Sequence, residues 1–240
     1  MGFEKYYKQN LEETKKKLRE TVDFNDFIVQ GINNIDEINR VINMLAKRLR
    51  EWYELYNPEF SRKTFDHEKF VEEIISGKVT KEKDSMGAEL TEADLAPIFG
   101  LAKEIESLYN LKKSQEGYLD KIMEKNCPNI TAVAGAQIGA RLIAIAGDLK
   151  RLVKFPASTV QLLGAEKALF RHMRTGAKAP KYGVIHEHPL VAKVAKVKVK
   201  DKGKAARALA DKISIAAKID YFKGEFIGDK LRKKLEERFK

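Results

Sequence analysis

The chain has 240 residues, of which 43% are hydrophobic and 34% are charged, so it is long enough to bury a core and is richer in charge than an average soluble domain. A formal net charge of +11 favours nucleic acid or an acidic surface as a partner. The single cysteine excludes an intramolecular disulfide and fits a cytoplasmic protein, and the lack of any run of about 18 apolar residues predicts no membrane span.

The charge is divided unequally along the chain. Residues 127–240 hold 25 Lys and Arg against 10 Asp and Glu, whereas residues 1–126 hold 21 against 25. Such an asymmetry predicts two segments with different functions, of which the second would meet a polyanion.

The first half carries helical periodicity. Residues 3–20 form a charged helical stretch, interpreted as the remnant of a linker helix over residues 1–21. Over residues 22–56 the apolar positions recur at intervals of three and four, which is typical of a coiled-coil seam. Asn57-Pro58 ends this helix, because proline disfavours the helical conformation in the residue before it.

A second long helix follows a polar connection. Asp66 to Ser76 is predicted to be a short helix, residues 78–87 a loop, and Thr91 the start of the second seam. The two long helices can pack antiparallel as a hairpin, so residues 22–126 are interpreted as a dimerisation arm. The residues expected to mediate dimerisation are Ile35, Ile38, Ile42, Leu45, Leu49 and Trp52.

The basic half is also predicted to be helical, over residues 131–147, 203–222 and 226–240. Gly135 and Gly139 would lie on one helix face and allow close packing. The segment Lys193–Lys200 is the only candidate strand, and its unbroken charge favours a loop or an edge segment. The sequence therefore predicts an all-α fold, in which a long antiparallel coiled-coil hairpin is followed by a compact basic helical domain over residues 127–240.

Motifs for catalysis or cofactor binding are missing. There is no phosphate-binding loop, no dinucleotide fingerprint and no Cys-x-x-Cys pair. His186-Glu187-His188 has no third ligand nearby, and no carboxylates stand out as an acid–base pair. We expect no enzyme activity, no cofactor and no metal, although an active site assembled only by the fold is left open as a rival interpretation.

A cationic surface is predicted within residues 150–200, which contain 12 Lys and Arg and only two acidic residues. Lys167, Arg171 and Arg174 share one helix face, and the cations alternate with apolar residues rather than forming a solvated block. Aromatic side chains such as Phe170 could stack on bases if exposed, although core packing is the favoured reading for Phe170. The predicted phosphate contacts are Lys150, Arg151, Lys154, Lys167, Arg171, Arg174, Lys178 and Lys181. Gly164 and Ala165 would allow close backbone approach to RNA, and Gln161 and His186 are further candidates for base or sugar contacts.

The segment GAEKALFRHMRTGAKAPKYG, residues 164–183, resembles the signature of the Nop domain. PASTVQLLGAEKALFR, GKAARALADKISIAAKID and the coiled-coil segment INNIDEINRVINMLAKRLREWYELYNPE resemble the same family, so the resemblance covers nearly the whole chain. The family comprises the archaeal box C/D ribonucleoprotein core protein, which fits best, and its nucleolar and spliceosomal relatives.

The resemblance implies a non-catalytic scaffold that binds box C/D guide RNA with a kink-turn, together with a small ribosomal-protein-like partner, in support of ribose 2′-O-methylation. It implies a homodimeric coiled coil, and it links Gly164-Ala165-Glu166-Lys167 and Ala168-Leu169-Phe170-Arg171 to RNA contact. The family's fibrillarin-recruiting domain should precede the coiled coil, where only residues 1–20 stand, so a truncated form is expected and fibrillarin binding is in doubt. The alternative is a coiled-coil adaptor whose basic face meets acidic proteins.

Overall fold

The computed structural model describes residues 2–82, 84–197 and 201–239, and these residues form helices without any strand. The all-α class predicted from the sequence is therefore confirmed. Thirteen α-helices and one 3-10 helix, over Val184–Glu187, occur in the described ranges. The α-helices are α1 Gly2–Thr21, α2 Phe24–Glu54, α3 Pro58–Lys63, α4 His67–Ile75, α5 Glu92–Asn126, α6 Pro128–Ala134, α7 Ala136–Ala146, α8 Leu149–Lys154, α9 Ala157–Leu162, α10 Glu166–Thr175, α11 Pro189–Val197, α12 Lys202–Tyr221 and α13 Gly228–Arg238.

The chain divides into two compact units, of which one is Asn33–Gly117. Its core joins α2 to α5, with α4 packed against them: Phe70 is fully buried beside the α2 residues Ile42 and Leu49 and the α5 residues Ile98 and Ile105. The predicted antiparallel hairpin is confirmed in this core. Arg50 fixes the connection, since its Nη1 donates to the carbonyl oxygens of Ser61 and Thr64, both at 2.6 Å.

The other unit comprises Met1–Ile32 and Tyr118–Lys240. α12 lies at its centre, with ten buried residues, and packs against α6, α8, α9, α11 and α13. Many of these buried residues are alanines, so neighbouring helices approach closely. Gly139 of α7 shows how closely, because a Cβ there would lie 2.7 Å from Cγ2 of Ile130 and 2.9 Å from Cε of Met123.

A buried carboxylate connects the ends of three helices in this unit. Asp220, near the end of α12, accepts hydrogen bonds from the backbone N–H and the side-chain amide of Asn129 and from the backbone N–H of Ile130. The Asn129 side chain in turn accepts from the backbone N–H of Ile227, ahead of α13, at 2.8 Å. Burial raises the pKa of Asp220 above its usual range, against the opposing effect of these donors.

The structure corrects three sequence interpretations. Gly135 does not share a helix face with Gly139: it has φ +79° and separates α6 from α7. The segment 193–197 belongs to α11 and is neither a loop nor an edge, and residues 198–200 lie outside the described residues. The start of the polar connection, for which no helix was predicted, forms α3 (Pro58–Lys63), because proline is well tolerated in a first helical turn and Asn57 Oδ1 accepts from Phe60 N.

The predicted domain boundaries stay a prediction, and the compact units follow different limits. Residues 22–32 and 118–126 belong to the same unit as the basic half. Asn25 shows why, since its side chain accepts a hydrogen bond from the backbone N–H of Leu149 at the start of α8. In the described residues no single helix is long and apolar enough to span a membrane; α6 and α7 pass that test only as a pair, bent by 115°.

Candidate nucleic-acid interface

Three short helices build the predicted cationic segment. α8 begins after Asp148, whose carboxylate accepts from the backbone N–H of Arg151, and ends before Pro156. α9 follows at once. It starts at Ala157 and has no side-chain cap. A tight connection at residues 163–165 then leads into α10.

Two glycines hold the base of α10 against the following loop. Gly164 has φ +86°, and a Cβ on it would lie 2.4 Å from Cγ2 of Val184. A Cβ on Gly183 would lie 1.8 Å from the carbonyl oxygen of Leu163, which accepts from the backbone N–H of Val184 at 2.8 Å. Gly164 is therefore required by the packing of the chain on itself. Close approach of RNA to Gly164 and Ala165 stays a prediction.

None of the ten residues of α10 is buried. Lys167, Arg171 and Arg174 are all exposed, and their spacing places them on one face. Phe170 and Met173 lie beside that face with 59% and 62% of their surface exposed. The favoured interpretation of Phe170 as a core residue is therefore wrong. The helix presents a cationic face with an apolar border to solvent.

The charges on this face are free to meet a ligand. Within the ranges that the structure describes, none of the three cations takes part in an ion pair, and neither Lys178 nor Lys181 does. Glu166 is different: its carboxylate accepts from the backbone N–H of Gly164 at 2.7 Å and so fixes the turn before α10. Of the predicted contacts in this helix, Glu166 is the one with an observed structural role.

The loop after α10 is held by hydrogen bonds to its neighbours. Gly176 adopts the left-handed conformation that ends the helix, and His172 Nδ1 bonds the carbonyl oxygen of Ala177. Gln161 Nε2 donates to the carbonyl oxygen of Lys181 at 2.5 Å. His186 Nδ1 bonds the carbonyl oxygen of Gly183 at 2.9 Å. Gln161 and His186 thus position the loop, whatever else they contact.

The three predicted α8 cations, Lys150, Arg151 and Lys154, are exposed. Lys150 lines a cleft that also contains Asp23, Asp26 and Asp148. Carboxylates repel phosphate, so Lys150 is the predicted contact least suited to RNA. Sequence reasoning also missed three cations, Lys204, Arg207 and Arg238, which share a cleft with Gln161 and Lys181. The basic side of α12 was visible in the sequence, but its closeness to residue 181 was not.

Most of the residues predicted to mediate dimerisation are buried within the monomer. Ile35, Ile38, Ile42 and Leu49 are buried within the monomer, and Leu45 packs partly against the hairpin core. A second copy could reach these side chains only by opening the hairpin, and their assignment to a dimer contact stays a prediction. Trp52 alone keeps substantial exposure, at 38%. Val41 and Met44 are exposed on the same side of α2 as Trp52 and form an apolar stripe with it, and Leu55, in the turn directly after the helix, is also exposed.

The described residues bring no three His, Cys, Asp or Glu side chains together in a way that could hold a metal ion. Cys127 is buried, and burial raises the pKa of its thiol to about 12. A thiol with that pKa is almost entirely protonated at neutral pH and is a poor nucleophile.

The sequence model of the Nop family matches residues 63–240. The description of that family reads "snoRNA binding domain, fibrillarin". A NOP5-family protein of Methanocaldococcus jannaschii is 41% identical over 95% of this chain and 60% of its own length. Nucleolar protein 56 of Schizosaccharomyces pombe is 35% identical over 94% of this chain, and the human protein of that name is 36% identical over 89%. The chain spans only 51% and 40% of these two relatives.

The fold is also similar to a solved structure. The crystal structure of a fibrillarin/Nop5p complex contains a chain that superposes with a TM-score of 0.57 and 28% identity. The match covers 98% of this chain and 78% of that chain.

Proposed function

The chain belongs to the Nop family, and from that premise we propose that it is a non-catalytic scaffold of a box C/D guide ribonucleoprotein. In this proposal α10 and the loop after it bind a kink-turn RNA together with a small ribosomal-protein-like partner. The assembly would support RNA-guided ribose 2′-O-methylation by a methyltransferase that is a separate protein.

The observation that carries this proposal is a helix without a buried residue. A helix of ten residues gains little from its own hydrogen bonds in water and normally depends on an apolar face packed against the protein. α10 is instead held at its ends, by the Glu166 bond to Gly164 and by Gly176. Its unpaired cations and exposed apolar side chains are therefore available to a partner.

The composition of the exposed face favours a composite partner. Lys167, Arg171 and Arg174 suit phosphate oxygens, because charge-assisted hydrogen bonds to phosphate are among the strongest in proteins. Phe170 and Met173 give the same helix an apolar border that phosphate would not cover. A protein seated next to the RNA would bury that border, as would an unstacked base.

The direct test reverses two charges. In a variant with Lys167→Glu and Arg171→Glu, two attractive charges become repulsive, and each lost charge-assisted contact costs about 1.5–3 kcal/mol. We expect at least a hundredfold loss of affinity for a kink-turn RNA bound to the small partner, measured by titration calorimetry or gel shift. The melting temperature should stay close to that of the parent, because neither cation has an ion-pair partner among the residues that the structure describes.

The matched control is Lys230→Glu with Lys233→Glu, two exposed lysines of α13. It changes the net charge equally but leaves α10 intact, so its affinity should fall much less. Equal losses in the two variants would mean that only total charge matters and would contradict the assignment of α10.

Self-association is proposed through the apolar stripe of α2. Val41, Met44 and Trp52 are exposed along one side of that helix, interrupted by Arg48, which pairs with Glu51, and Leu55 is exposed just after the helix end. Reversing the character of this stripe with Met44→Glu and Trp52→Glu should convert a dimer to a monomer in light scattering. The monomer should still melt cooperatively, because both side chains lie outside the hairpin core. An unchanged mass would contradict the proposed contact.

Fibrillarin is a further candidate partner, because the similar crystal structure is that of a complex with it. Co-purification of fibrillarin with the 240-residue chain tests this directly. The alternative function, an adaptor for acidic proteins, draws support from the same mixed face of α10. Nuclease treatment separates the two: a ribonucleoprotein loses its partners after nuclease, whereas an adaptor keeps them.

A further inference from the structure

A second basic surface lies away from the exposed face of α10. α9, the loop before the 3-10 helix, the first turns of α12 and the end of α13 enclose a cleft of about 980 Å³. Its basic side chains are Lys181, Lys204, Arg207 and Arg238. Ser158 and Gln161 add uncharged polar groups on the wall formed by α9.

The charge balance of the cleft is strongly positive. Asp211 is the single carboxylate among the lining residues, and it pairs with Lys212, outside the lining, at 3.1 Å. Lys204 lies 2.8 Å from Asp201, but with 75% of its side chain exposed that pair is weak. In the part of the chain that the structure describes, Lys181, Arg207 and Arg238 have no ion-pair partner. An anion entering the cleft would therefore meet several cations and one carboxylate that is already paired.

The walls of the cleft are fixed rather than adaptable. α12 buries Ala205, Ala206 and Leu209 in the core, so Arg207 projects from a helix that cannot move independently. On the other side, the hydrogen bond from Gln161 to the carbonyl oxygen of Lys181 ties the loop to α9. Lys202 Nζ lies 4.5 Å above the ring of Tyr182 and joins the loop to α12. Because the backbone that carries these cations is held in place, ligand binding orders only their side chains, which favours a specific site.

We propose that this cleft binds the sugar-phosphate backbone of a single-stranded RNA segment that continues from the RNA held at α10. The inference rests on the proposed function and adds a second contact to it. The loop that carries Lys178 and Lys181 links the two surfaces, because it leaves the end of α10 and forms one wall of the cleft. Several cations tracking one backbone, with hydroxyl and amide groups beside them, are typical of single-strand binding.

The test compares a minimal kink-turn RNA with two extended RNAs, which carry a single-stranded extension of about eight nucleotides at one end or at the other. Each RNA is bound to the small protein partner. The parent should bind one extended RNA at least tenfold more tightly than the minimal one. For that RNA, the slope of log affinity against log salt concentration should be more negative by about 2, as expected for three further phosphates on a single strand.

The variant Lys204→Glu with Arg207→Glu should lose this gain while binding the minimal RNA like the parent. The control Lys230→Glu with Lys233→Glu should keep the gain. No gain with either extension, or a full gain in the cleft variant, would overturn the inference. Failure of the parent to bind even the minimal RNA complex would instead count against the proposed function.

A second measurement does not depend on charge reversal. In the variant Ser158→Cys the new thiol is exposed, whereas that of Cys127 is buried. A photo-crosslinker can therefore be attached selectively at residue 158. It should crosslink to the extension, whereas a crosslinker at Lys233→Cys should not. Equal crosslinking from both positions, or none from residue 158, would place the extension elsewhere.

Discussion

Two basic helices of this protein, α10 and α12, have similar residue types and opposite relations to the core. α10 carries Lys167, Arg171 and Arg174 and has no buried residue, whereas α12 carries Lys204, Arg207 and Lys212 and buries ten. In α12 the apolar positions are filled by small side chains that fit between five neighbouring helices. In α10 the large apolar side chains of Phe170 and Met173 contact solvent, and Ala168 and Leu169 are half-buried.

The difference separates two uses of an amphipathic basic helix. Burial of the apolar side of α12 stabilises the fold, so its cations are placed rigidly by the core. Exposure of the apolar side of α10 contributes nothing to the isolated chain, and such a surface is typical of an interaction site. Substitutions of the buried side chains of α12 should therefore affect stability first, and substitutions in α10 should affect binding first.

The largest contrast is expected from a matched pair of truncations. Ile213→Ala in α12 removes a fully buried side chain and should lower the free energy of unfolding by about 2–5 kcal/mol. Phe170→Ala in α10 removes a larger side chain that is 59% exposed, and should change stability by about 0.5 kcal/mol or less. Urea unfolding followed by circular dichroism measures both values, and a stability loss in Phe170→Ala as large as that in Ile213→Ala would remove the distinction.

A somewhat smaller loss is expected at the buried carboxylate of α12. Asp220→Ala leaves the backbone N–H groups of Asn129 and Ile130 and the Asn129 amide without an acceptor. Buried donors left unpaired cost about 1–3 kcal/mol each, part of which water entry would recover, so a total of about 3 kcal/mol is expected. Asp220→Asn keeps one acceptor oxygen and should be intermediate in the same unfolding measurement. Equal stability of Asp220→Ala and the parent would show that these bonds do not hold the helix ends.

A smaller loss of stability than at Asp220 should come from the turn before α10. Gly164→Ala places a Cβ at positive φ and 2.4 Å from Val184, which should cost about 1–3 kcal/mol and displace the start of the helix. The loss of binding free energy to the RNA–partner complex should exceed the loss of stability, because displacing α10 also moves its cations. Gly176→Ala is the control: its φ is also positive, at +66°, but no atom lies within 4 Å of the added Cβ. If both variants bind RNA like the parent, the orientation of α10 is unimportant for binding.

The sequence predicted the helical class and the hairpin because both depend on local periodicity. The apolar residues of α2 and α5 recur every three to four positions, and only packing of two such stripes buries them. The predicted dimer contacts stay a prediction for the same reason. Ile38 and Ile42 have the pattern of a seam, and a pattern does not say whether the partner helix comes from the same chain or from another copy.

The candidate site was predictable in part. The common face of Lys167, Arg171 and Arg174 follows from their spacing on any helix. The exposure of Phe170 does not, because an aromatic residue in a short amphipathic helix is usually buried, and only the placement of α10 away from the core leaves it in water.

The sequence by itself determined the properties that depend on neighbours along the chain. These are the helix content, the unequal division of charge, the cationic face of α10 and the resemblance to the Nop family. The tertiary structure alone decided which residues distant in sequence meet. Asp220 lies 91 residues from Asn129 in the chain, yet binds it, and Lys181 shares a cleft with Arg207 and Arg238. The physical reason is that such contacts are set by the packing of α12 among five helices, a property of the whole unit and of no single segment.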